Sequence, residues 1–352
     1  MKPETVVVLG PRFGEFPELV ARGFRQNGIE AVCLTYPEPP VTPMELLVWE
    51  YLPRLRLTAL RENWVARILQ AVCAACRDAG LLIIIKGDQL PLDQYAELVA
   101  TVRCPKVVWL MDSVHRVRDG LTRASMADLV FSFEGTDRPI LDALPIPHHQ
   151  VALAVDPDWY HPIDGSRRRW DVSFVGALYE NRLSTLESIL TAVPAGTTPT
   201  GRFVGAFRSH VHPLRTARML RRYPLTARKL KHGRNLKHEQ INRLYNQSQI
   251  CLNIFHPQSV ESVNPRTFET CGSGAFLLCQ SNAALGRYFS IGREVEAFNT
   301  PEEAGDKIAY YLRNDTSTRR IAAAGRERVL KEHTIKFRVA QMLAMMRSDL
   351  SF

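Results

Sequence analysis

The sequence predicts an α/β protein made of two Rossmann-like domains facing a cleft. Short apolar runs alternate with helical stretches through the first half of the chain, the signature of an open parallel sheet covered by helices. A strand, glycine and helix pattern then restarts at DVSFVGALYENR, residues 171–182. The length of 352 residues suits two such domains, on a prior of about 100–200 residues each. The expected boundaries are 1–165, 166–330 and a C-terminal helix, 331–352, that packs back on the first domain.

In chain order, VVVLG (6–10) reads as a strand ending in glycine, and EFPELVARGFRQNG (15–28) as a helix stopped at Gly28. EAVCLTY (30–36) is a strand. Residues 43–79 read as one long helical region. LLIIIKGD (81–88) is an uninterrupted apolar run, as expected of a strand buried on both faces. LDQYAELVATV is helical, KVVWLMD (106–112) and DLVFSF (128–133) are strands, and 145–162 is a strand and a proline-rich linker. In the second half GRFVG (201–205), QICLNIF (249–255) and AFLLCQ (275–280) are strands, and AGDKIAYYLRN and 315–347 are helices.

Composition narrows the function classes. No run of 18 or more apolar residues suggests a membrane span. The start, MKPETVVVLG, lacks the apolar segment and small-residue cleavage site of a signal peptide. Seven scattered cysteines then read as reduced thiols in a cytoplasmic protein. The single CxxC of Cys73 and Cys76 lies in a helical stretch and reads as packing rather than zinc. The net charge is +9, and residues 202–238 hold eleven Lys/Arg and no Asp/Glu. That field suits an anionic partner, such as a phosphorylated molecule, an anionic membrane face or a nucleic acid; its plain alternative is a solvated basic surface.

The densest chemistry lies in ESVNPRTFETCGSGAF, residues 261–276. Asn264 is the expected N-cap and Pro265 the first residue of a short helix, Arg266 to about Cys271, ended by Gly272 and Gly274. Its N-terminus and the Arg266 guanidinium favour a phosphate. The carboxylates Glu261 and Glu269 suit vicinal hydroxyls, because an ionised carboxylate only accepts hydrogen bonds. Together these features fit a nucleoside-diphosphate sugar. The plain alternative makes Glu261 a loop residue and Glu269 a first-turn helix acid.

Glu261 and Glu269 match the E-x7-E element of retaining glycosyltransferases with the GT-B fold. The string LNIF…SVNPRTFETCGSGAFLLCQ, followed by LGRYF, GREVEAF and EHTIKFRVAQML, resembles the CgeB-like glycosyltransferase group 1 family, as do DVSFVGALYENR, KVVWLMDS and KGDQL. The resemblance implies an enzyme whose N-terminal domain binds a glycan, lipid-linked or protein acceptor and whose C-terminal domain binds a nucleotide sugar. It implies that Glu269 holds the ribose, Glu261 lies near the donor sugar or diphosphate, and Arg182, six residues after the loop glycine Gly176, binds the diphosphate. Ala177 stands where related enzymes often carry arginine, so Arg266, Lys231 or Arg234 would supply the second phosphate contact. Gly233 would wrap the base, and Gly14 would face the donor.

His115, beside Asp112 at the end of a buried strand, is the better acid/base candidate; the resemblance itself implies no strong protein base. Asp156 and Asp158 form a DxD in the linker, but two oxygen ligands make a poor metal site, and no metal cofactor is expected. His148 and His149 are sequence neighbours and do not share a strand face. The expectation is therefore a metal-independent, retaining enzyme in the cytoplasm, with a peripheral position at the inner membrane face open to it. A nucleic-acid-binding protein using 202–238 leaves the glutamates and the two-domain alternation unexplained. A non-catalytic nucleotide-sugar-binding subunit remains the other alternative.

Overall fold

The computed structural model describes residues 3–37, 42–205, 213–232 and 236–350. Its short β-branched and aliphatic runs form two parallel sheets of six strands each. The first contains β1 (Thr5–Pro11), β2 (Glu30–Tyr36), β3 (Leu81–Ile85), β4 (Lys106–Trp109), β5 (Leu129–Ser132) and β6 (His148–Gln150). Their order is β2-β1-β3-β4-β5-β6. The second contains β7 (Trp170–Val175), β8 (Gly201–Gly205), β9 (Leu230–His232), β10 (Ser248–Asn253), β11 (Leu277–Gln280) and β12 (Glu296–Phe298), in the order β12-β11-β10-β7-β8-β9.

The chain divides into two units. One comprises residues 1–153, 260–262 and 335–352, the other 154–259 and 263–334. In the first, Val7, Leu9, Ile84 and Val108 meet Val65, Leu69, Val72, Tyr95 and Leu98 from the covering helices. Every residue of β3 is buried, the reason its sequence is apolar throughout. Cys76 lies in this core and Cys73 packs against it, both as free thiols. In the second unit, Val172, Phe174, Phe203, Ile250 and Leu278 meet Leu183, Leu186, Ile189 and Ile308.

One long helical expectation breaks, and the helices of 315–347 divide near residue 333. Residues 43–79 become a short helix Pro43–Leu46 with a Thr42/Glu45 capping box, a wide π turn Leu47–Tyr51, a turn Leu52–Arg54 and the helix Ala59–Ala75. Arg56 takes φ +61, which no α-helix accommodates. Residues 315–347 become Asp315–Glu332 and Ile335–Asp349. The break falls where Thr334 bridges to Val155 and the His333 carbonyl accepts from the Val155 amide at 3.1 Å.

The helix Ile335–Asp349 packs on Phe16–Gln26 within the first unit. Gly23 permits the approach: a Cβ there would lie 2.6 Å from Val339 Cγ2 and 2.7 Å from Ile335 Cγ1. The Asn27 amide adds a hydrogen bond to the Lys336 carbonyl at 2.9 Å.

Candidate functional site

In parallel sheets, ligands bind beyond the carboxyl ends of strands where the strand order reverses. In the second unit that place is between β7 and β10. Gly176 opens the turn after β7, and its amide donates to the Val204 carbonyl at 3.1 Å. A Cβ on Gly176 would stand 3.1 Å from the Arg182 guanidinium. Arg182 is buried on the helix Glu180–Ala192, donating from Nε to the Ile254 carbonyl at 3.1 Å and from Nη1 to the Ala177 carbonyl at 3.0 Å. It thus ties the loop after β7 to the end of β10. Tyr179 and His256 reinforce the tie, edge to face at 5.0 Å.

The helix after β10 is Pro265–Gly272, with Pro265 in its first turn. Asn264 stands at the N-cap position, but its side chain makes no cap hydrogen bond. Its amide instead pairs with that of Asn253, by bonds of 3.0 and 2.9 Å. A buried amide at the end of β10 is the stronger competitor for that side chain. Gly272 is the last helical residue and lies against Val155 and Tyr160, while Gly274, at φ +69, supplies the left-handed turn.

Arg266 and Glu269 share one face of this helix, three residues apart, and form an ion pair. Glu269 keeps only 7% of its surface. Burial pushes its carboxyl up; Arg266 and the Tyr160 hydroxyl, both hydrogen-bonded to it, pull the other way without cancelling the rise. For Arg266 burial acts downward, but the adjacent Glu269 carboxylate outweighs it and holds the guanidinium charged. Tyr245 and His238 lie within electrostatic reach of this pair. Trp159 stacks on His238 with ring centres 4.2 Å apart and planes 9° from parallel.

In the first unit, Gly14 takes φ +62 in the turn after β1, and its neighbour Glu15 is also left-handed at φ 56. His115 is exposed in the turn after β4. That turn is held from beneath by buried Asp137, which accepts from Ser113 Oγ at 2.8 Å and the Val114 amide at 2.7 Å. Asp112 pairs with Lys86 at 3.1 Å. Lys86 sits at φ +59 and Met111 at φ +53, so two non-glycine residues after β3 and β4 adopt a costly backbone conformation.

Glu261 has a partner sequence reasoning missed. Glu134, 1% exposed just beyond β5, accepts from the Val260 amide at 3.1 Å, the Glu261 amide at 2.7 Å and Ser262 Oγ at 2.6 Å. Thr136 adds its amide and hydroxyl, at 3.3 and 3.1 Å. Gln150 Nε2 donates to the Glu261 carbonyl at 3.0 Å. Gly135 leaves room for the Glu261 side chain: a Cβ there would be 2.5 Å from Glu261 Oε2. This grip gathers residues 260–262 into the first unit although their neighbours on both sides belong to the second.

Residues 185–344 match the family model described as glycosyl transferase-like. Solved structures match over nearly the whole chain. Sucrose-phosphate synthase from Thermosynechococcus elongatus has a TM-score of 0.65 and 12% identity, covering 98% of each chain. Anabaena HepE in complex with UDP and glucose has a TM-score of 0.65 and 14% identity, covering 98% of this chain and 100% of its own. A UDP-forming α,α-trehalose-phosphate synthase from Burkholderia vietnamiensis has a TM-score of 0.63 and 13% identity, covering 98% and 100%. The fold is GT-B. The family model covers residues 185–344, less than half of the chain, and the solved structures show the fold. A comparison with curated protein sequences gives no match.

On this GT-B frame the sequence-predicted residues separate. Arg266, Glu269 and Asn264 share one helix start, and Gly176 and Arg182 adjoin at the end of β7. Glu261 groups with Gly14 and His115 in the first unit and not with Glu269. Arg234 and Gly233 lie outside the described residues. Tyr160, Trp159, Glu134 and Gln150 were not anticipated. A Trp-Tyr pair inside a proline-rich linker was the available signal for the first two; nothing local marks the others.

The DxD residues part company. Asp156 is fully buried and accepts from the Asp158 amide at 2.9 Å, while Asp158 is exposed. Among the described residues no three His, Cys, Asp or Glu side chains gather as a metal site. His148 pairs with Asp142 and His149 with Asp349, two different partners. Part of the basic segment is used locally: Arg202 lies over Trp170 at 4.4 Å, Arg222 pairs with Glu180 at 2.8 Å and Lys229 donates to the Pro199 carbonyl at 2.6 Å.

Proposed function

We propose that the protein moves a sugar from a nucleoside-diphosphate sugar to a glycan, lipid-linked or protein acceptor, with retention and without a metal, as a CgeB-like enzyme of the cytoplasm. The observation that carries this reading is the buried Arg266–Glu269 pair, with Tyr160 beside it, on the helix that follows β10. Glu269 would accept the two ribose hydroxyls, a role for an acceptor-only carboxylate. Arg266 and the amides of the helix start would face the diphosphate, where negative charge grows as the sugar leaves. Arg182, which donates to the Ile254 and Ala177 carbonyls, would hold the Gly176 loop and bind the diphosphate.

The chemistry asks little of a protein base. The bond from the anomeric carbon to the β-phosphate oxygen breaks, the acceptor oxygen bonds to the same carbon, and the departing phosphate takes the acceptor proton. Glu261 would lie near the donor sugar, Gly14 would face the donor, and His115 would be the acid/base candidate.

The test is thermal unfolding with UDP, GDP, ADP, CDP and dTDP, with and without Mn²⁺, on the wild type and Glu269→Ala. UDP is the first candidate, because HepE was solved with UDP and glucose. A diphosphate at about 100 times its dissociation constant adds roughly 2.7 kcal/mol. The expected result is one diphosphate that stabilises the wild type without metal and loses its effect in Glu269→Ala. Stabilisation by none of the five would overturn the reading.

A further inference from the structure

Among the described residues fifteen large apolar side chains are exposed, and six of them fall within residues 44–60. They are Met44 (59% exposed), Leu47, Tyr51, Leu55 (68%), Leu57 and Leu60. Scattered exposed leucines need no explanation, but a cluster this dense in one short stretch does.

The segment has two faces. Glu45, Val48 and Trp49 are buried, with Trp49 set edge-on to Trp64 and under the Arg61 guanidinium. That face anchors the segment to the first unit. The opposite face should be polar in an ordinary surface element. Here it carries Met44, Leu47 and Tyr51, and it continues into Arg54-Leu55-Arg56-Leu57-Thr58-Ala59-Leu60, all seven of which are exposed. Arg54 and Arg56 are exposed in this face, whereas Arg61 turns inward over Trp49 and exposed Glu62 follows it. Glu45 is buried against Arg12, and that ion pair joins the turn bearing exposed Phe13 to the same segment.

We propose that this outward face docks on an anionic lipid bilayer. Flexible aliphatic side chains flanked by arginines and a tyrosine suit the boundary between acyl chains and headgroups: leucine and methionine enter, tyrosine sits at headgroup level, and arginine meets phosphate. The charge complementarity selects anionic lipid, since each cation near such a surface adds to binding. No element there is long enough to span; the segment lies on the surface. This surface is distinct from the basic segment 202–238, where Met219 and Leu220 of the helix Pro213–Arg222 pack against the second core. The inference stands apart from the glycosyl-transfer reading, and its test uses no donor.

The experiment is co-sedimentation of the full chain with vesicles of phosphatidylcholine alone or mixed with phosphatidylglycerol. The variants are Leu55→Ser/Leu57→Ser/Leu60→Ser, Arg54→Glu/Arg56→Glu and Arg221→Glu/Arg222→Glu. Circular dichroism and Tm check that each folds, as expected for exposed positions. The wild type is expected to bind the mixed vesicles, less so at high salt, and the first two variants to bind about tenfold or more weakly. The third is expected to bind like the wild type. Failure of the wild type to sediment with mixed vesicles, or equal binding by the leucine variant, would overturn the proposal. So would loss of binding in the third variant. A dimer in sedimentation velocity that the leucine substitutions dissociate would reassign the face to self-association.

Discussion

Glu269 and Arg266 illustrate how a buried charge is tolerated at a binding site. Neither is stable there without the other. Arg266→Ala would leave the Glu269 carboxylate buried without its cation, a change that costs about 3–5 kcal/mol when fully buried and somewhat less here. Urea unfolding of Arg266→Ala, Glu269→Ala and the double variant is expected to show strong coupling, with the double variant more stable than the two losses added together. Acid should act on the same residue. Its carboxyl sits above the ordinary glutamate value of about 4.3. Only the ionised form accepts ribose hydroxyls, so stabilisation by a nucleoside diphosphate should fade as pH falls toward that raised value, earlier than for an ordinary glutamate. A Glu269→Gln profile should be flat across the same window. For the ligand-free protein the sign reverses. Between the ordinary and the raised value the folded state binds more protons than the unfolded one, so this group makes stability fall as pH rises.

At the scale of elements, close approaches carry the testable content. The turn around Gly135 accepts the tripeptide 260–262 only because it lacks a side chain next to Glu261. Gly135→Ala, or Glu134→Ala with its amide and hydroxyl donors left without their acceptor, should accelerate hydrogen exchange at the Val260 and Glu261 amides. Exchange along Pro265–Gly272 should stay unchanged; equal acceleration there would mean the grip is not local. Gly23 makes the matching case between helices. Gly23→Ala would drive a methyl against Val339 and Ile335, and overpacking of this kind costs about 1–3 kcal/mol. A Tm equal to the wild type would show that the helices part at no cost.

For the whole molecule, the chain leaves its first unit, builds the second and returns for Ile335–Asp349. That final helix buries Ile335, Val339, Met342, Leu343 and Met346. Truncation after Thr334 would expose the face of Phe16–Gln26 that it covers around Gly23, where Val339 and Ile335 pack. The expected outcome is a low soluble yield and binding of a hydrophobic dye. A soluble, dye-silent truncated protein would contradict this role for the helix.

The sequence by itself determined the fold class and most of the strands, but not the three-residue strands β9 and β12. β1, β2 and β8 stand within a residue or two of where the sequence runs put them, because short apolar and β-branched runs between turn residues are a local signal, continuous where a strand such as β3 is buried on both faces. It also put Arg266 and Glu269 on one helix face, since spacing along a helix is local too, while Glu261 lies before that helix. Tertiary structure decided what each side chain does. Asn264 left its cap for Asn253, eleven residues away; Arg182 turned to Ile254, 72 away; and Glu134 took hold of Glu261 across 127 residues. Periodicity records which face of an element is buried. It does not record which of many buried donors and acceptors will meet, because that choice depends on hydrogen-bond competition that exists only after the sheets have formed.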